Sequence, residues 1–571
     1  MKASDVVINI LAKHGVKTVF GYQGGSITHL IDSIACRNDI EYIQSYNEQG
    51  ASFAADAYAR VAKEGLGVAI ASNGPGATNL VTGIANAYCD SVPVVFITGQ
   101  VHTFAMKGLK KTRQESFQEV DIISIVSSIT KYAITVMNEN DLVEELNKAI
   151  RIAKSGRKGP VLIDIPVDIQ GKDIQWNDSG VNDAIFEYYD RDLDDSFSQI
   201  IDLIEQSNSP IILAGGGVNQ AGASGFFSEF VSRTGIPVVA SLQGLDAIDH
   251  TDPNFVGFIG PFGNRFANLA LQNSDLLLVF GSRIDGRQTG KNRDSFANNA
   301  KIVHFDIDEA ELSHFVNEDI SIQGDIGAIL EKLNKLVDSC CEYDFSVWRE
   351  QIDNWKCRFD DVVENANDSK SINPNEVVRA IGNVLPDKAI VCADVGQNQM
   401  WVAQSLRSKR GSIRILNSGG LGSMGYSLPA CIGSYFASPT SRVIGIMGDG
   451  GFQMNLQELE VIGSLRLPVV LFIMNNESLG LIRDMHLRYY EGRCLGSEDG
   501  FSQPKFRELA SAFGLNYACI DKLINESELT EFMNADAPIL VEVKLGVGTT
   551  LFPELMGFDS LDRQSPYMDS R

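Results

Sequence analysis

The 571-residue sequence lacks most of the features that mark disulfide-rich, metal-cluster, membrane or nucleic-acid-binding proteins. Its nine cysteines include no CxxC pair, and Cys340 and Cys341 form their only cluster, which argues against a disulfide framework or a zinc site. Its seven histidines form no HExxH motif. The apolar runs are much shorter than a membrane span. A net charge of −25 disfavours binding to nucleic acid or to anionic membranes.

The N-terminal stretch MKASDVVINILAKHG has the pattern of an amphipathic helix that ends at Gly15, and not that of a signal peptide. Together with the unpaired cysteines, this pattern is typical of a protein in a reducing compartment. We therefore expect a cytoplasmic protein that binds small molecules, with neither nucleic acid nor a membrane as a partner.

What the sequence does contain is a repeated alternation of short apolar runs with glycine-rich or acidic turns. The 44% apolar share and the 52 glycines suit α/β domains with many strand-to-helix turns, and the length predicts roughly three or four domains. We predict an α/β fold with three doubly wound parallel-sheet domains. Their ranges are 1–172, 193–345 and 371–571, with an acidic linker at 173–192, a charged helical linker at 346–370, and an irregular tail after Gly548 that is either a lid or disordered.

The most informative stretch runs from Gly448 to Asn476, GDGGFQMNLQELEVIGSLRLPVVLFIMNN. It predicts a strand that ends at a Gly-Asp-Gly turn, a helix capped by Asn455, and a second strand that ends at Asn476. A right-handed crossover brings both strand ends to one edge of a parallel sheet, so Asp449 and Asn476 should lie side by side. One carboxylate and one amide oxygen suit Mg²⁺, which fills its octahedron with phosphate oxygens and water. The stretch therefore predicts a metal-bridged diphosphate, although Gly-Asp-Gly by itself is common turn chemistry.

Two motifs in the first 80 residues, YNEQGASFAADAYAR and SNGPGATN, add to this interpretation. Together with the Gly-Asp-Gly turn and the asparagine pair that ends at Asn476, with 26 residues between Asp449 and Asn476, they resemble the two halves of thiamine diphosphate (ThDP) enzymes. The resemblance implies that the first domain is pyrimidine-binding, the second is a central dinucleotide-like domain and the third is diphosphate-binding. This resemblance implies that Asp449 and Asn476 hold Mg²⁺ with their side chains and that Ser478 supplies a backbone carbonyl. Gly448 and Gly450 would let the backbone approach the diphosphate closely.

Glu48 lies in the first of these motifs, where a glutamate ordinarily does no more than favour the positive end of a helix dipole. The resemblance gives this residue a catalytic role. A carboxyl group beside the pyrimidine ring can share a proton with the ring nitrogen and so drive the aminopyrimidine to its imino form. The exocyclic nitrogen of that form can then take the proton of the thiazolium ring.

Further motifs narrow the resemblance: SITKYA, GFIGPFGNRFANLALQNSDLLLVFGSRIDGRQTG, KIVHFDID and SGGLGSMGYSLPACIG. Over nearly the whole chain they are similar to the acetohydroxyacid (acetolactate) synthase branch of the ThDP enzymes. The resemblance implies that Gly422 offers its carbonyl to the aminopyrimidine and that Met424 bends the coenzyme into its reactive shape. Gln397 would touch the diphosphate, although family members usually have histidine where this chain has Asn398.

Enzymes of this branch hold FAD in the central domain, often without a redox role. Here the turn Gly260-Pro261-Phe262-Gly263 replaces the family's Gly-Met-His-Gly, which leaves an empty or remodelled pocket as the alternative. We expect FAD to bind. The residues that match the family's flavin contacts are Gly216, Arg283, Asp285, Arg287, Asp306 and Asp325.

The predicted substrate side departs further from the family pattern. Gly25, Phe117 and Gln118 match family positions and are expected at the catalytic centre. Val167 stands where acetolactate synthases have lysine, and Met485 stands where they have the tryptophan that selects the second keto acid. A pocket with these two side chains would be more apolar and roomier, and methionine is adaptable. The predicted pocket residues are Val167, Leu481, Ile482 and Met485.

These residues predict a ThDP- and Mg²⁺-dependent enzyme that decarboxylates a 2-keto acid, with pyruvate expected, and joins the two-carbon unit to a carbonyl acceptor. A keto-sugar is one candidate acceptor. The alternatives are acetolactate synthase itself, a pyruvate oxidase-type flavoenzyme and an inactive ThDP-fold partner. Glu48 argues against the last, because binding alone would not need it. The resemblance also implies a homodimer or homotetramer with the active site at the interface between two chains.

Overall fold

The computed structural model describes residues 1–108, 111–176, 194–337, 343–365, 371–411, 413–522 and 525–568. Within these ranges the chain forms three six-stranded sheets, with helices between successive strands. The strands of each sheet pair in parallel. Their central strands are apolar and buried along their whole length, as expected for parallel sheets covered on both faces. The predicted α/β fold is confirmed.

The first sheet has the strand order β2-β1-β3-β4-β6-β5. Its strands are β1 (Thr18–Tyr22), β2 (Glu41–Gln44), β3 (Gly67–Ala71), β4 (Val94–Gln100), β5 (Tyr132–Thr135) and β6 (Val161–Pro166). Its helices are α1 (Ala3–Lys13), α2 (Thr28–Ala35), α3 (Glu48–Val61), α4 (Pro75–Asn79), α5 (Val81–Cys89), α6 (Ile122–Val126), α7 (Leu142–Lys154) and α8 (Val167–Gln170), with 3-10 turns at Gly25–Ile27, Thr103–Ala105 and Ser127–Ile129.

The central sheet has the order β12-β11-β10-β7-β8-β9, which is the strand order of dinucleotide-binding folds. Its strands are β7 (Pro210–Ala214), β8 (Val238–Ala240), β9 (Phe255–Phe258), β10 (Leu276–Phe280), β11 (Lys301–Asp306) and β12 (Ile320–Gln323). Its helices are α9 (Asp194–Gln206), α10 (Gly216–Gln220), α11 (Ser224–Thr234), α12 (Arg265–Gln272), α13 (Gly286–Thr289), α14 (Ile326–Leu336) and α15 (Ser346–Arg358), with 3-10 turns at Arg293–Ser295 and Glu309–Glu311.

The third sheet, β14-β13-β15-β16-β18-β17, repeats the connectivity of the first. Its strands are β13 (Ile390–Ala393), β14 (Arg414–Leu416), β15 (Val443–Gly448), β16 (Val470–Asn475), β17 (Asn516–Ile520) and β18 (Ile539–Lys544). Its helices are α16 (Asp361–Glu364), α17 (Pro374–Val384), α18 (Gln397–Ser405), α19 (Ser427–Ala437), α20 (Asp449–Met454), α21 (Leu459–Ser464), α22 (Gly480–Tyr489), α23 (Phe506–Ala512) and α24 (Glu526–Met533), with a 3-10 turn at Leu456–Glu458.

Helices α3 and α19 join the first domain to the third. The alanines of α3 are buried, and a Cβ on Gly433 of α19 would lie only 1.9 Å from the carbonyl oxygen of Ala54. The ring centroids of Phe53 and Tyr426 lie 5.5 Å apart, edge to face, beside this contact. Small residues therefore let the two helix backbones approach closely, and a larger side chain at Gly433 would separate the domains.

Two segments differ from the sequence-based expectation. The predicted linker at 346–370 contains α15, whose Trp348, Ile352 and Trp355 are buried in the central core, because apolar residues at these spacings form one helix face. The linker's last residues, 366–370, and residues 177–192 of the acidic linker lie outside the described residues. The tail after Gly548 has no helix or strand within its described part, yet Leu551 and Leu561 are buried.

The Gly-Asp-Gly motif also differs locally from the prediction. Asp449 begins the short helix α20, so the motif is a helix start instead of a simple turn. Asn455 does not cap the next helical segment with its side chain. Its amide nitrogen donates instead to the carbonyl oxygen of Gly425, at 2.9 Å. The side chain therefore ties this segment to the turn that precedes α19.

Candidate active site

The predicted metal ligands lie where β15 and β16 end, at the same edge of the third sheet. Oδ1 of Asp449 accepts a hydrogen bond from the backbone N–H of Gly450 at 2.8 Å, while Oδ2 is buried without a partner. Burial raises the pKa of Asp449 to about 7, although backbone N–H groups, including those of Glu477 and Ser478, lower it in part. An orphaned buried carboxylate oxygen fits a cation.

Asn476 is oriented by its neighbours. Its Nδ2 donates to Oε1 of Gln397 at 2.9 Å, and Nε2 of Gln397 donates to Oδ2 of Asp484 at 2.9 Å. This chain of hydrogen bonds uses the amide nitrogen of Asn476 and leaves its oxygen available. Across the described residues no group of three or more His, Cys, Asp or Glu side chains could hold a metal. A cation here would therefore depend on one carboxylate together with amide and carbonyl oxygens, the donor set that Mg²⁺ accepts.

The loop 418–425, SGGLGSMG, carries Gly422 and Met424 beside this edge. Gly422 has a φ of +71° and Gly425 a φ of +84°, a backbone conformation that favours glycine. The N–H of Gly425 donates to Oδ1 of the buried Asp394 at 2.9 Å. A Cβ on Gly450 would lie 3.6 Å from Cε of Met424. The loop therefore places Met424 against the start of α20.

Asp90, which the sequence motifs did not single out, holds the same loop from the first domain. Its carboxylate accepts from the N–H groups of Gly419 at 3.1 Å and Gly420 at 2.6 Å. It also forms an ion pair with Arg60 at 2.9 Å, in which both side chains are buried. Asp90 therefore orients the loop that carries Gly422 and Met424.

Glu48 is the first residue of α3 and is buried. Its Oε2 accepts a hydrogen bond from Nδ2 of Asn79 at 2.9 Å. A Cβ on Gly76 would lie 3.1 Å from its Oε1, so the SNGPGATN turn closes tightly around the carboxylate. Asn47 caps the helix by accepting from the N–H of Gln49 at 2.8 Å. Glu48 itself is thus left free of the capping role.

The other predicted first-domain residues lie around this turn. Nδ2 of Asn73 donates to the carbonyl oxygen of Gln118 at 3.2 Å, and the N–H of Asn73 donates to Oγ of Ser26, the neighbour of Gly25. Gln118 has a φ of +62°. Phe117 is 86% exposed. Gln118 and Gly25 are therefore tied to one turn, whereas Phe117 projects into solvent.

Among the described residues of one chain, the side chain of Glu48 forms no hydrogen bond or ion pair with Asp449 or Asn476. The domains are linked by Glu458, which accepts from the N–H groups of Tyr46 at 3.0 Å and Asn47 at 3.1 Å. Burial raises the pKa of Glu458 to about 7, although these two N–H groups lower it in part. Its second carboxylate oxygen is buried without a partner. Glu458 therefore fixes the start of α3 while Glu48 and Asp449 stay in separate half-sites.

The predicted substrate pocket is divided in the same way. Val167 begins α8 in the first domain and is half-buried, while Leu481, Ile482 and Met485 lie on α22 in the third domain. Ile482 is 42% exposed and Met485 is 40% exposed. These side chains are therefore available to form a wall against another surface.

A large cavity lies at the carboxyl ends of β7 and β10, where the central strand order reverses. It contains about 1310 Å³ of empty space, a volume that includes open solvent, and it lies at the position where doubly wound sheets bind ligands. All six residues predicted to contact FAD line it, as do Pro261 and Phe262 of the substituted turn. Asp90, Arg157, Lys158 and Gln243 also line it and were not predicted.

Hydrogen bonds already fix the polar residues of this cavity. Asp285 accepts from the N–H of Arg287 at 2.9 Å and pairs with Arg283 at 3.0 Å, and Asp325 caps α14. Burial raises the pKa of Asp306, which accepts from the N–H of Asp308. The aspartates thus have structural roles, and the guanidinium groups are the groups suited to an anionic ligand.

Three family models of thiamine pyrophosphate enzymes match the chain. The N-terminal TPP binding domain matches residues 1–125, the central domain matches 197–333 and the C-terminal TPP binding domain matches 394–543. The fold and these matches define a thiamine diphosphate-dependent enzyme. No helix in the described ranges has both the length and the apolar content needed to cross a membrane.

Known relatives narrow the class to one family. The acetolactate synthase large subunit of Lactococcus lactis subsp. lactis (strain IL1403) is 35% identical over 552 residues, covering 96% of this chain and 93% of that protein. That of Parasynechococcus marenigrum (strain WH8102) is 37% identical, covering 97% and 89%. The acetolactate synthase isozyme 2 large subunit of Escherichia coli (strain K12) is 35% identical, covering 97% of each. The chain belongs to the acetolactate synthase large-subunit family, as its motifs predicted.

Proposed function

We propose that the protein decarboxylates pyruvate and transfers the resulting two-carbon unit to a carbonyl acceptor larger than a second pyruvate, of the keto-sugar type. The bond to the carboxylate breaks and releases CO₂. A new carbon–carbon bond forms to the acceptor carbonyl carbon, and the acceptor oxygen takes up one proton. The buried Glu48 at the start of α3, retained together with the Asp449 and Asn476 edge, is the observation that carries the proposal.

When bound, thiamine diphosphate supplies an electron sink for the carbon that loses CO₂. Asp449 and Asn476 would hold Mg²⁺ with side-chain oxygens and Ser478 with its backbone carbonyl. Gly448 and Gly450 would let the backbone approach the diphosphate, with Gln397 beside it. The orphaned Oδ2 of Asp449 supports this assignment.

Glu48 would hold a proton at its Oε1, facing the pyrimidine ring nitrogen, because its Oε2 accepts from Asn79. Burial of this carboxyl group excludes water from the proton that it shares. Gly422 and Met424 would orient the pyrimidine from the loop that Asp90 holds. Gly25, Phe117 and Gln118 would face the reacting carbon.

Because Glu48 shares no hydrogen bond or ion pair with Asp449 or Asn476 among the described residues of one chain, we place the active site between two chains, in a homodimer or a homotetramer. The 86% exposure of Phe117 supports this arrangement. A second copy would cover the exposed side chains of α22 and bring Met485 towards Val167. Both chains of such a dimer would then contribute residues to each active site.

We assign the central cavity to FAD. Its place at the strand-order reversal and its lining by Gly216, Arg283 and Arg287 support a dinucleotide. Pro261 and Phe262 would replace the family's methionine and histidine with apolar surface against the flavin. Absorbance of the purified protein near the flavin bands, before and after dialysis, would test this assignment independently of activity.

The proposed difference in activity from acetolactate synthase rests on two residues of the predicted acceptor pocket. Val167 removes the lysine cation of the family, and Met485 removes the tryptophan that selects the second keto acid. Both changes enlarge the pocket and make it more apolar, which suits a bulkier acceptor than pyruvate. Acetolactate synthase remains the second candidate function, because the relatives that cover nearly the whole chain carry that name.

One experiment separates these candidates. The holoenzyme, with thiamine diphosphate and Mg²⁺, is incubated with pyruvate alone or with pyruvate and keto-sugar acceptors, and products are identified by mass spectrometry. We expect slow CO₂ release from pyruvate alone and an acetyl adduct when a keto-sugar is present. Rapid acetolactate formation from pyruvate alone would instead support the second candidate. Absence of CO₂ release from every 2-keto acid would reject both.

A further inference from the structure

Asp484 is a buried carboxylate whose presence is not explained by its place in α22 alone. It is 8% exposed, and burial raises its pKa to about 6, although the hydrogen bond from Gln397 lowers it in part. It directly precedes Met485 of the predicted acceptor pocket. Burying a carboxylate is costly unless hydrogen bonds compensate for the lost hydration. The partners of Asp484 therefore indicate what this residue does.

One partner is Gln397, and the chemistry of Asp484 fixes the direction of their hydrogen bond. An ionised carboxylate only accepts hydrogen bonds, so Gln397 must turn its amide nitrogen towards Asp484. Nε2 of Gln397 donates to Oδ2 of Asp484 at 2.9 Å and also to the carbonyl oxygen of Thr549 at 3.3 Å. Both acceptors select the same orientation of the Gln397 amide.

The orientation of Gln397 determines that of Asn476. With its nitrogen turned towards Asp484, Gln397 presents Oε1 on the other side of its amide, where Nδ2 of Asn476 donates to it at 2.9 Å. A carboxylate that only accepts thus orients two amides in succession. Because Gln397 holds the amide nitrogen of Asn476, the amide oxygen remains for a cation.

The positive charge next to Asp484 does not alter this arrangement. Oδ1 of Asp484 has no hydrogen-bond partner among the described residues and lies 3.8 Å from Nη1 of Arg483. Arg483 pairs more closely with Glu498, at 2.5 Å. Among the described residues, the carboxylate of Asp484 therefore accepts a side-chain hydrogen bond from Gln397 alone.

Helix α22 packs directly against the two amides. A Cβ on Gly480, the first residue of the helix, would lie 1.9 Å from Oε1 of Gln397 and 2.9 Å from Nδ2 of Asn476. Asp484 follows Gly480 by four residues and lies on the same face of the helix. The helix that carries Met485 therefore also holds the predicted metal ligand in place.

We propose that Asp484 is a positioning residue, which acts through Gln397 to keep the amide oxygen of Asn476 turned towards the bound Mg²⁺. The nitrogen and oxygen of an asparagine amide are similar in size, so hydrogen bonding and not shape distinguishes the two orientations. An amide nitrogen turned towards the cation would put a hydrogen-bond donor in place of a ligand. The proposal rests on the proposed thiamine diphosphate and Mg²⁺ site, and it adds a residue of α22 that sets the affinity for the cation.

The test measures cation affinity separately from catalysis. Mn²⁺ is titrated into the protein with saturating thiamine diphosphate, and free Mn²⁺ is followed by electron paramagnetic resonance, with a protein-free titration as the blank. Asp484→Asn keeps the shape of the side chain but can donate as well as accept, and Asp484→Leu removes the acceptor at similar size. The control, Asp499→Asn, removes the charge of an exposed aspartate in the same domain.

We expect both Asp484 variants to weaken Mn²⁺ binding at least about tenfold, because groups that orient a metal ligand typically contribute about 10- to 100-fold to affinity. The control should match wild type, because Asp499 donates to and accepts from neither amide. Wild-type affinity in either Asp484 variant would overturn the proposal.

A swap variant distinguishes positioning from a general loss of packing. In Asp484→Asn/Gln397→Glu, the carboxylate at position 397 accepts both from the amide at position 484 and from Nδ2 of Asn476, so the orientation of Asn476 is restored without a change in net charge. We expect this variant to bind Mn²⁺ within about threefold of wild type. Binding as weak as that of Asp484→Asn would count against the proposal. A wild type that takes up neither Mn²⁺ nor thiamine diphosphate would instead contradict the proposed function.

Discussion

The central cavity and the predicted thiamine diphosphate site are assembled in different ways. Within one chain, the cavity already brings together residues of all three domains, such as Arg157, Gly216 and Gly419. The thiamine diphosphate residues instead form two groups, around Glu48 and around Asp449, and Glu48 shares no hydrogen bond with Asp449 or Asn476 among the described residues. A single chain is thus expected to complete the first site but not the second.

Ligand binding at the two sites should therefore depend on different steps of assembly. Ligand retention in the central cavity should follow the folding of one chain, whereas thiamine diphosphate binding should also follow association between chains. Asp90 is the exception, because it lines the cavity and also holds the loop with Gly422 and Met424. Variants at Glu48, Glu458 and Asp90 therefore test how independent the two sites are.

The largest expected effect is that of Glu48→Gln. The amide keeps the size of the side chain but cannot share a proton with the coenzyme, so CO₂ release from pyruvate should fall about 100- to 10,000-fold. Thiamine diphosphate binding, measured by fluorescence quenching, and flavin content should stay near wild type. Glu41→Gln, at an exposed position in the same domain, is the matched control. A Glu48→Gln protein as fast as wild type would contradict the catalytic role.

Glu458→Gln should change the pH dependence of stability. Burial raises the pKa of Glu458 from 4.5 to about 7, so its contribution to stability is fully present below about pH 4.5 and is lost as the pH rises through 7. The wild type should therefore lose about 2 kcal/mol relative to the glutamine variant between pH 5 and pH 8. Parallel unfolding experiments at both pH values measure this difference.

Glu460→Gln, on the same segment, provides the comparison for Glu458→Gln. Its unfolding is measured at the same two pH values, so that the effect of the substitution itself at a half-buried position is known. If the Glu458 variant and the wild type kept a constant difference from pH 5 to pH 8, the link between domains would not depend on an ionising carboxyl group.

Asp90→Asn should have a smaller effect, but on both sites. The two carboxylate oxygens of Asp90 accept from the N–H groups of Gly419 and Gly420, whereas an asparagine side chain has only one acceptor oxygen. The substitution also removes the negative charge that pairs with Arg60. We expect about tenfold weaker thiamine diphosphate binding, because a buried charge pair and a loop contact are lost, together with lower flavin retention. Loss at only one site would show that the two regions are independent.

The interior strands were predictable because their apolar runs are buried on both faces. The apolar runs PIILA and KIVHFD, each followed by a glycine or acidic turn, predict strands over Pro210–Ala214 and Lys301–Asp306, and β7 and β11 have the same bounds. The edge strand β5 was not predicted, since all four of its residues are only half-buried and its pattern is weak. The burial of α15 was also not predicted, because its many charged residues indicated a linker although Trp348 and Trp355 form an apolar face.

Residues within motifs were also predictable, whereas contacts between distant segments were not. Glu48, Asp449 and Asn476 belong to recognisable patterns, and their identity as site residues stays a prediction. Asp90 contacts a loop about 330 residues later in the chain, and Glu458 contacts a helix start more than 400 residues earlier. No local pattern marks either residue, because the role of each depends on how the domains pack.

The last described residues of the chain brace the wall of the central cavity. The N–H of Leu555 donates to the carbonyl oxygen of Pro261 at 2.7 Å, and Nε2 of Gln564 donates to that of Gly263 at 3.0 Å. Arg265 holds the carbonyl oxygens of Gln564 and Pro566. With FAD bound in this cavity, as we propose, limited proteolysis or a bulky fusion at these residues would therefore change the colour of the purified protein before any loss of its secondary structure.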